Sequence, residues 1–185
     1  YGMTERKTLL IDFDLRKPSI LAYLELRGNK GLVNYLAGHI SLEDAIIKSS
    51  NYKFDVLPVG IIPPNPAELM ASDGLKNMLD TLKQQYDYII IDCAPSLGLL
   101  TLNALTAADS VVIPIQCEYF ALEGLTQLMY TIKLVKKHLN PDIDIEGVVL
   151  TMKDSRSNLG NSVAADINKY FNNKVYFLEY LSSKR

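Results

Sequence analysis

Short, mostly apolar runs alternate along this chain with amphipathic stretches, and that alternation sets the expected fold. Thr8–Ile11, Phe54–Val59, Tyr88–Ile91, Ser110–Ile115, Ile145–Thr151 and Val175–Leu178 are rich in β-branched and other apolar residues and short, so each reads as a strand. A run that is apolar at consecutive positions needs cover on both faces, as in a parallel sheet between helical layers. Helix signals fall between the runs. Ser41-Leu-Glu-Asp44 is a capping-box variant that predicts a helix over Leu42–Lys48, and Asn65-Pro66-Ala67-Glu68 sets a cap, a first-turn proline and an acid together. The longest helical pattern, Tyr119–Leu139, carries Leu125, Leu128, Met129, Ile132, Val135 and Leu139 as one core-facing stripe. It ends in Lys136, Lys137 and His138, whose charge complements the helix dipole. The expected fold is α/β, with a doubly wound, mainly parallel sheet.

Composition narrows this picture. A chain of 185 residues with 48% hydrophobic content suits a single domain over 1–185 with a substantial core. A net charge of −2 excludes a globally basic nucleic-acid binder, so any phosphate binding must come from a local patch of Lys and Arg. No apolar run reaches the roughly 18 residues of a membrane span, and the first residues have no signal-peptide pattern, so no membrane span and a cytoplasmic location are expected. Cys93 and Cys117 lack metal-ligand spacing and read as core thiols.

The chemistry concentrates where apolar runs end in acids. Thr8-Leu-Leu-Ile-Asp12-Phe-Asp14 closes a strand with two carboxylates and is followed by Arg16 and Lys17; Tyr88-Ile-Ile-Ile-Asp92 closes another with one. Parallel strands that deliver acids to one carboxyl edge build Mg-nucleotide sites in α/β folds, the arrangement of a P-loop NTPase. Acids at strand ends are also common as solvated loop residues, and Arg16 and Lys17 could pair with phosphates or with the neighbouring acids. The chain has no G-x-x-x-x-G-K-[ST] motif and begins at Tyr1. It is therefore expected to be N-terminally truncated, starting after the phosphate loop and its helix, and to bind ATP weakly without hydrolysing it. The C-terminal end is expected to be incomplete as well.

The two acid-ended strands resemble the Walker A′ and Walker B strands of the deviant-Walker ATPases, the ParA/MinD family. Over residues 87–176 the likeness is to the chromosome-partitioning ParA/Soj branch, through Asp92-Cys-Ala-Pro-Ser-Leu-Gly-Leu-Leu-Thr-Leu-Asn, Pro114-Ile-Gln-Cys-Glu-Tyr-Phe-Ala-Leu-Glu-Gly124 and Leu150-Thr-Met-Lys-Asp-Ser-Arg-Ser-Asn-Leu159. Residues 8–86 depart from that branch. Asp14-Leu-Arg-Lys-Pro-Ser19, Gly31-Leu-Val-Asn-Tyr-Leu-Ala-Gly38 and Pro63-Pro-Asn-Pro-Ala-Glu-Leu69 resemble the bacterial tyrosine kinases of capsule and exopolysaccharide synthesis.

The resemblance implies ATP and Mg²⁺ as cofactors, with Asp14 positioning the attacking water, Asp12 helping to hold the metal site and Asp92 binding Mg²⁺ through water. It places Arg16 and Met152 beside the nucleotide, and Arg156 with Lys153 at a surface for non-specific DNA. A loop arginine capping Asp154 is the plainer account of Arg156. Gln116, Glu118 and Gly124 match a segment near the dimer and partner-responsive region. The implied function is ATP-dependent chromosome or plasmid partitioning by an ATP-sandwich homodimer on nucleoid DNA, stimulated by a ParB-like partner. The alternatives are a capsule-synthesis tyrosine kinase and a non-catalytic interaction module with an ATPase-like fold.

Overall fold

The computed structural model describes residues 5–62, 73–94, 96–118, 121–151, 158–171 and 174–177. The helix expected from Asn65 lies outside them. The chain falls into two compact units, 1–107 and 108–185.

The first unit is built on a four-stranded sheet of β1 (Thr8–Asp12), β2 (Ile47–Lys48), β3 (Asp55–Leu57) and β4 (Tyr88–Asp92), in the order β2-β3-β1-β4. β1 pairs in parallel with β3 and β4, so all three carboxyl ends share one edge. The central strand is the best covered: Leu9 and Ile11 are fully buried and pack with Phe13, Leu32, Leu57 and Met78. On α4 (Asp73–Lys83) the residues Leu75, Met78, Leu79 and Leu82 are buried at helical spacing, which fixes the face it turns to the core. Shorter helices α1 (Ile20–Tyr23), α2 (Leu32–Leu36) and α3 (Leu42–Ala45), with α5 (Leu99–Ala107), complete this unit.

Two expectations are corrected here. The cap at Ser41 is present, its Oγ accepting from the Asp44 N–H at 3.1 Å, but the helix ends at Ala45 and not at Lys48. The β-branched pair Ile46-Ile47 leaves the helix, and Ile47–Lys48 becomes a strand antiparallel to β3. β4 is the other surprise. Its Ile-Ile-Ile run reads as an interior strand, yet among the described residues it has one partner strand, and Ile90 is 41% exposed.

A clamp ties α2 to the carboxyl end of β3. The N–H groups of Leu32 and Val33 donate to the carbonyls of Pro58 and Val59 at 2.8 and 3.0 Å. Asn34 Oδ1 accepts from both Gly31 and Ile61 at 3.1 Å. A Cβ at Gly31 would lie 2.1 Å from the Pro58 carbonyl oxygen, so only glycine allows this approach.

The second unit holds a parallel three-stranded sheet of β5 (Ser110–Gln116), β6 (Asp144–Thr151) and β7 (Val175–Phe177), in the order β5-β6-β7. α6 (Ala121–His138) matches the long helical pattern. Ile132 and Val135 of its stripe are buried, Leu125, Leu128 and Met129 are half-buried, and Leu139 just past its end is exposed. Val163, Ala164, Ile167 and Phe171 of α7 (Asn158–Phe171) are also buried. The structure is thus α/β with mainly parallel pairing, as expected.

Candidate functional site

β1 ends where its side chains turn from apolar to acidic, and the loop that follows alternates between core and solvent. Phe13 and Leu15 are buried, Ile20 is buried at the start of α1, and Arg16, Lys17 and Pro18 are exposed. Apolar anchoring on both sides of Asp14 leaves that carboxylate half-buried at the surface of the sheet's carboxyl edge. Phe13 and Leu15 anchor the loop although neither carries chemistry, and the alternation of apolar and polar positions from Asp12 to Arg16 is the sequence signal that marks them.

Asp12 is only 2% exposed. Its Oδ1 accepts from the Asp14 N–H at 3.1 Å and its Oδ2 accepts from the Ile20 N–H at 3.3 Å. Burial pushes its pKa up, and the backbone N–H groups around it pull in the opposite direction. Asp14 repeats the pattern one step outward. Its Oδ1 accepts from the backbone N–H groups of Arg16 and Lys17 at 3.0 and 3.1 Å, so the Arg16 and Lys17 side chains extend into solvent.

Asp92 joins them from the neighbouring strand. It stands opposite Asp12 in the parallel register, and its carbonyl accepts from the Phe13 N–H at 2.9 Å. Adjacent strands lie about 4.8 Å apart, so the loop after β1 is tied directly to the end of β4. The Asp92 side chain is exposed at the strand end. Protein packed against its inner side pushes its pKa up, and the charges of Asp12 and Asp14 push it further. The neighbouring Cys93 thiol is pushed up to about 11, by burial first and by Asp92 second, which keeps it protonated and unreactive.

The structure therefore brings Asp12, Asp14, Arg16 and Asp92 to one edge. Met152, Lys153, Asp154 and Arg156 lie outside the described residues. Among the described residues no group of three or more His, Cys, Asp or Glu side chains converges to hold a metal alone. Mg²⁺ does not require such a group, because it keeps several waters and takes one or two carboxylates together with phosphate oxygens. Hard, mutually repelling carboxylate oxygens at Asp14 and Asp92 suit an ion that arrives with its phosphates. A cavity of about 600 Å³, lined by residues including Lys7, Lys48, Tyr52, Lys53 and Tyr86, opens at the opposite end of β1 and is not part of this site.

Known proteins resemble this chain in sequence and in fold. Residues 2–145 match the model of the AAA domain family AAA_31. The chain is 50% identical over 181 residues to the sporulation initiation inhibitor protein Soj of Bacillus subtilis, covering 92% of this chain and 70% of that protein. It is 44% identical over 182 residues to the chromosome partitioning protein ParA of Myxococcus xanthus, covering 93% of this chain and 63% of that one. The chain thus spans about two thirds of the length of these relatives. Among solved structures, cobyrinic acid a,c-diamide synthase from Mycobacterium smegmatis, with a bound ATP analog and magnesium, superposes with a TM-score of 0.77 at 32% identity, over 91% of this chain and 71% of that one. With its acid-ended parallel strands and these relatives, the chain belongs to the ParA/MinD-type family of P-loop ATPases.

Proposed function

We infer that this chain belongs to the ATPase domain of a ParA-type partitioning protein. The observation that carries the reading is the meeting of Asp12, Asp14 and Asp92 at one sheet edge, with β1 and β4 in register and the β1 loop bonded to Asp92. The extent of the Soj likeness supports it across both halves of the chain, including residues 8–86.

Each residue then has a role set by its position. Asp14, turned outward with Oδ2 unbonded among the described residues, accepts a hydrogen bond from the water that attacks the γ-phosphorus. Asp92 orients the water shell of the metal, and Arg16, Lys17 and Met152 are assigned to nucleotide binding. When bound, Mg²⁺ neutralises the phosphate oxygens. ATP joins two copies of the chain in a sandwich. The dimer holds DNA without sequence preference through Lys153 and Arg156, and a ParB-like partner speeds hydrolysis and release. Its expected location is the nucleoid.

The test uses the full-length protein with ATP and Mg²⁺. An electrophoretic shift with DNA of arbitrary sequence is expected only with ATP, and Arg156→Ala should weaken it equally for every sequence. Asp14→Ala should abolish hydrolysis while ATP-dependent dimerisation persists. Phosphotyrosine formed on incubation with ATP, with no DNA shift, would overturn the partitioning assignment in favour of the tyrosine-kinase chemistry.

A further inference from the structure

Asp12 differs from the other two acids in having its polar surface already engaged. It is nearly inaccessible to solvent, and both of its oxygens accept backbone N–H groups that lie up to eight residues along the chain. The donors span the loop: Asp14 stands at its start and Ile20 at its end. One buried carboxylate therefore closes the segment 13–19 into a fixed turn. Phe13 and Leu15 hold that turn from the apolar side. Asp14 sits between these anchors with its own N–H held by Asp12, so Asp12 fixes the backbone from which that side chain departs, and the Arg16 and Lys17 N–H groups of the same turn hold its Oδ1. At 2% exposure this carboxylate has almost no surface left through which an ion or a phosphate could reach it.

We propose that Asp12 is a positioning residue, which closes the 13–19 loop and aims Asp14 without itself touching metal or nucleotide. The proposal rests on the ATPase reading for its kinetic consequences, but its structural half stands apart from that reading. A water-positioning carboxylate must be held within a few tenths of an ångström of its productive place, and a loop residue achieves this only if the loop is fixed from below. Asp12 supplies that support.

The first arm of the test is amide hydrogen exchange on this chain, without nucleotide. Asp12→Ala should speed exchange at both Asp14 and Ile20 by at least about tenfold, the factor for an opening made easier by about 1.4 kcal/mol, and leave the β1 amides of Leu9 to Ile11 slow. Should the alanine variant fail to fold, Asp12→Asn serves instead. Its side chain keeps one acceptor oxygen, so one of the two amides should become fast and the other stay slow. Unchanged exchange at both positions overturns the proposal.

The second arm uses the ATP-hydrolysing protein. Asp12→Asn should lower kcat at least about tenfold with the Mg²⁺ concentration for half-maximal rate unchanged within about threefold. A tenfold rise in the Mg²⁺ requirement would make Asp12 a direct ligand. If the protein hydrolyses no ATP at all, the ATPase reading fails while the exchange arm still decides the role of Asp12 in the loop.

Discussion

At the scale of single residues, the site holds negative charge that the fold alone does not compensate. Asp92 carries a pKa raised by burial and by its two acidic neighbours. The sign of the consequence follows from proton binding: a carboxyl group that holds its proton more tightly in the folded chain than in the unfolded one makes stability fall as pH rises from the ordinary value of 3.8 through the raised value. Above that value the cost is fully present. Asp92→Asn should therefore raise Tm at about pH 7, and the gain should vanish as pH falls below the ordinary carboxylate value, where wild type and variant are both neutral at this position. Thermal melts of both proteins across that range give the measurement. A Tm gain that persisted at the lowest pH would show that the charge is not its source.

Elements show what periodicity reveals and where it stops. The acid-ended strands were legible because burial on both faces forces consecutive apolar residues, and the point where Ile11 gives way to Asp12 or Ile91 to Asp92 marks the carboxyl edge in the letters themselves. The helix ending at Ala45 was not legible. A cap announces where a helix starts, whereas its early end depends on Ile47 and Lys48 finding Val56 and Asp55, residues brought near only by the tertiary fold. The Asp12 bond to Ile20 was hidden for the same reason, since no spacing rule links a strand end to a helix start eight residues on. The α2 clamp is a third case, where Gly31 matters through a carbonyl 27 positions away in sequence at Pro58. Gly31→Ala has to displace that backbone or tilt α2. A loss of about 2 kcal/mol, equivalent to a Tm lower by roughly 4–8 °C, is the expected result of calorimetry or denaturant titration. A change below about 0.5 kcal/mol would mean that the β3 terminus yields easily.

For the whole molecule, the decisive quantity is how little positive charge it has to spare. With 19 basic and 21 acidic side chains, the chain has no general attraction for nucleic acid, and contacts with phosphates must come from a few local cations working against a weakly repulsive background. That arrangement has a measurable signature in the partitioning reading. Each phosphate neutralised on duplex DNA contributes about −0.9 to the slope of log K against log salt, so a patch of two cations per subunit, Lys153 and Arg156, in a dimer should give a slope near −4. Arg156→Ala removes one contact per subunit and should bring the slope to near −2 for all DNA sequences alike. The affinity of the ATP-bound protein for a random duplex, measured across salt concentrations, tests both values. A slope much steeper than −4 would require cations beyond this pair, and a slope unchanged by Arg156→Ala would remove that residue from the DNA surface while leaving the acid-edged ATP site untouched.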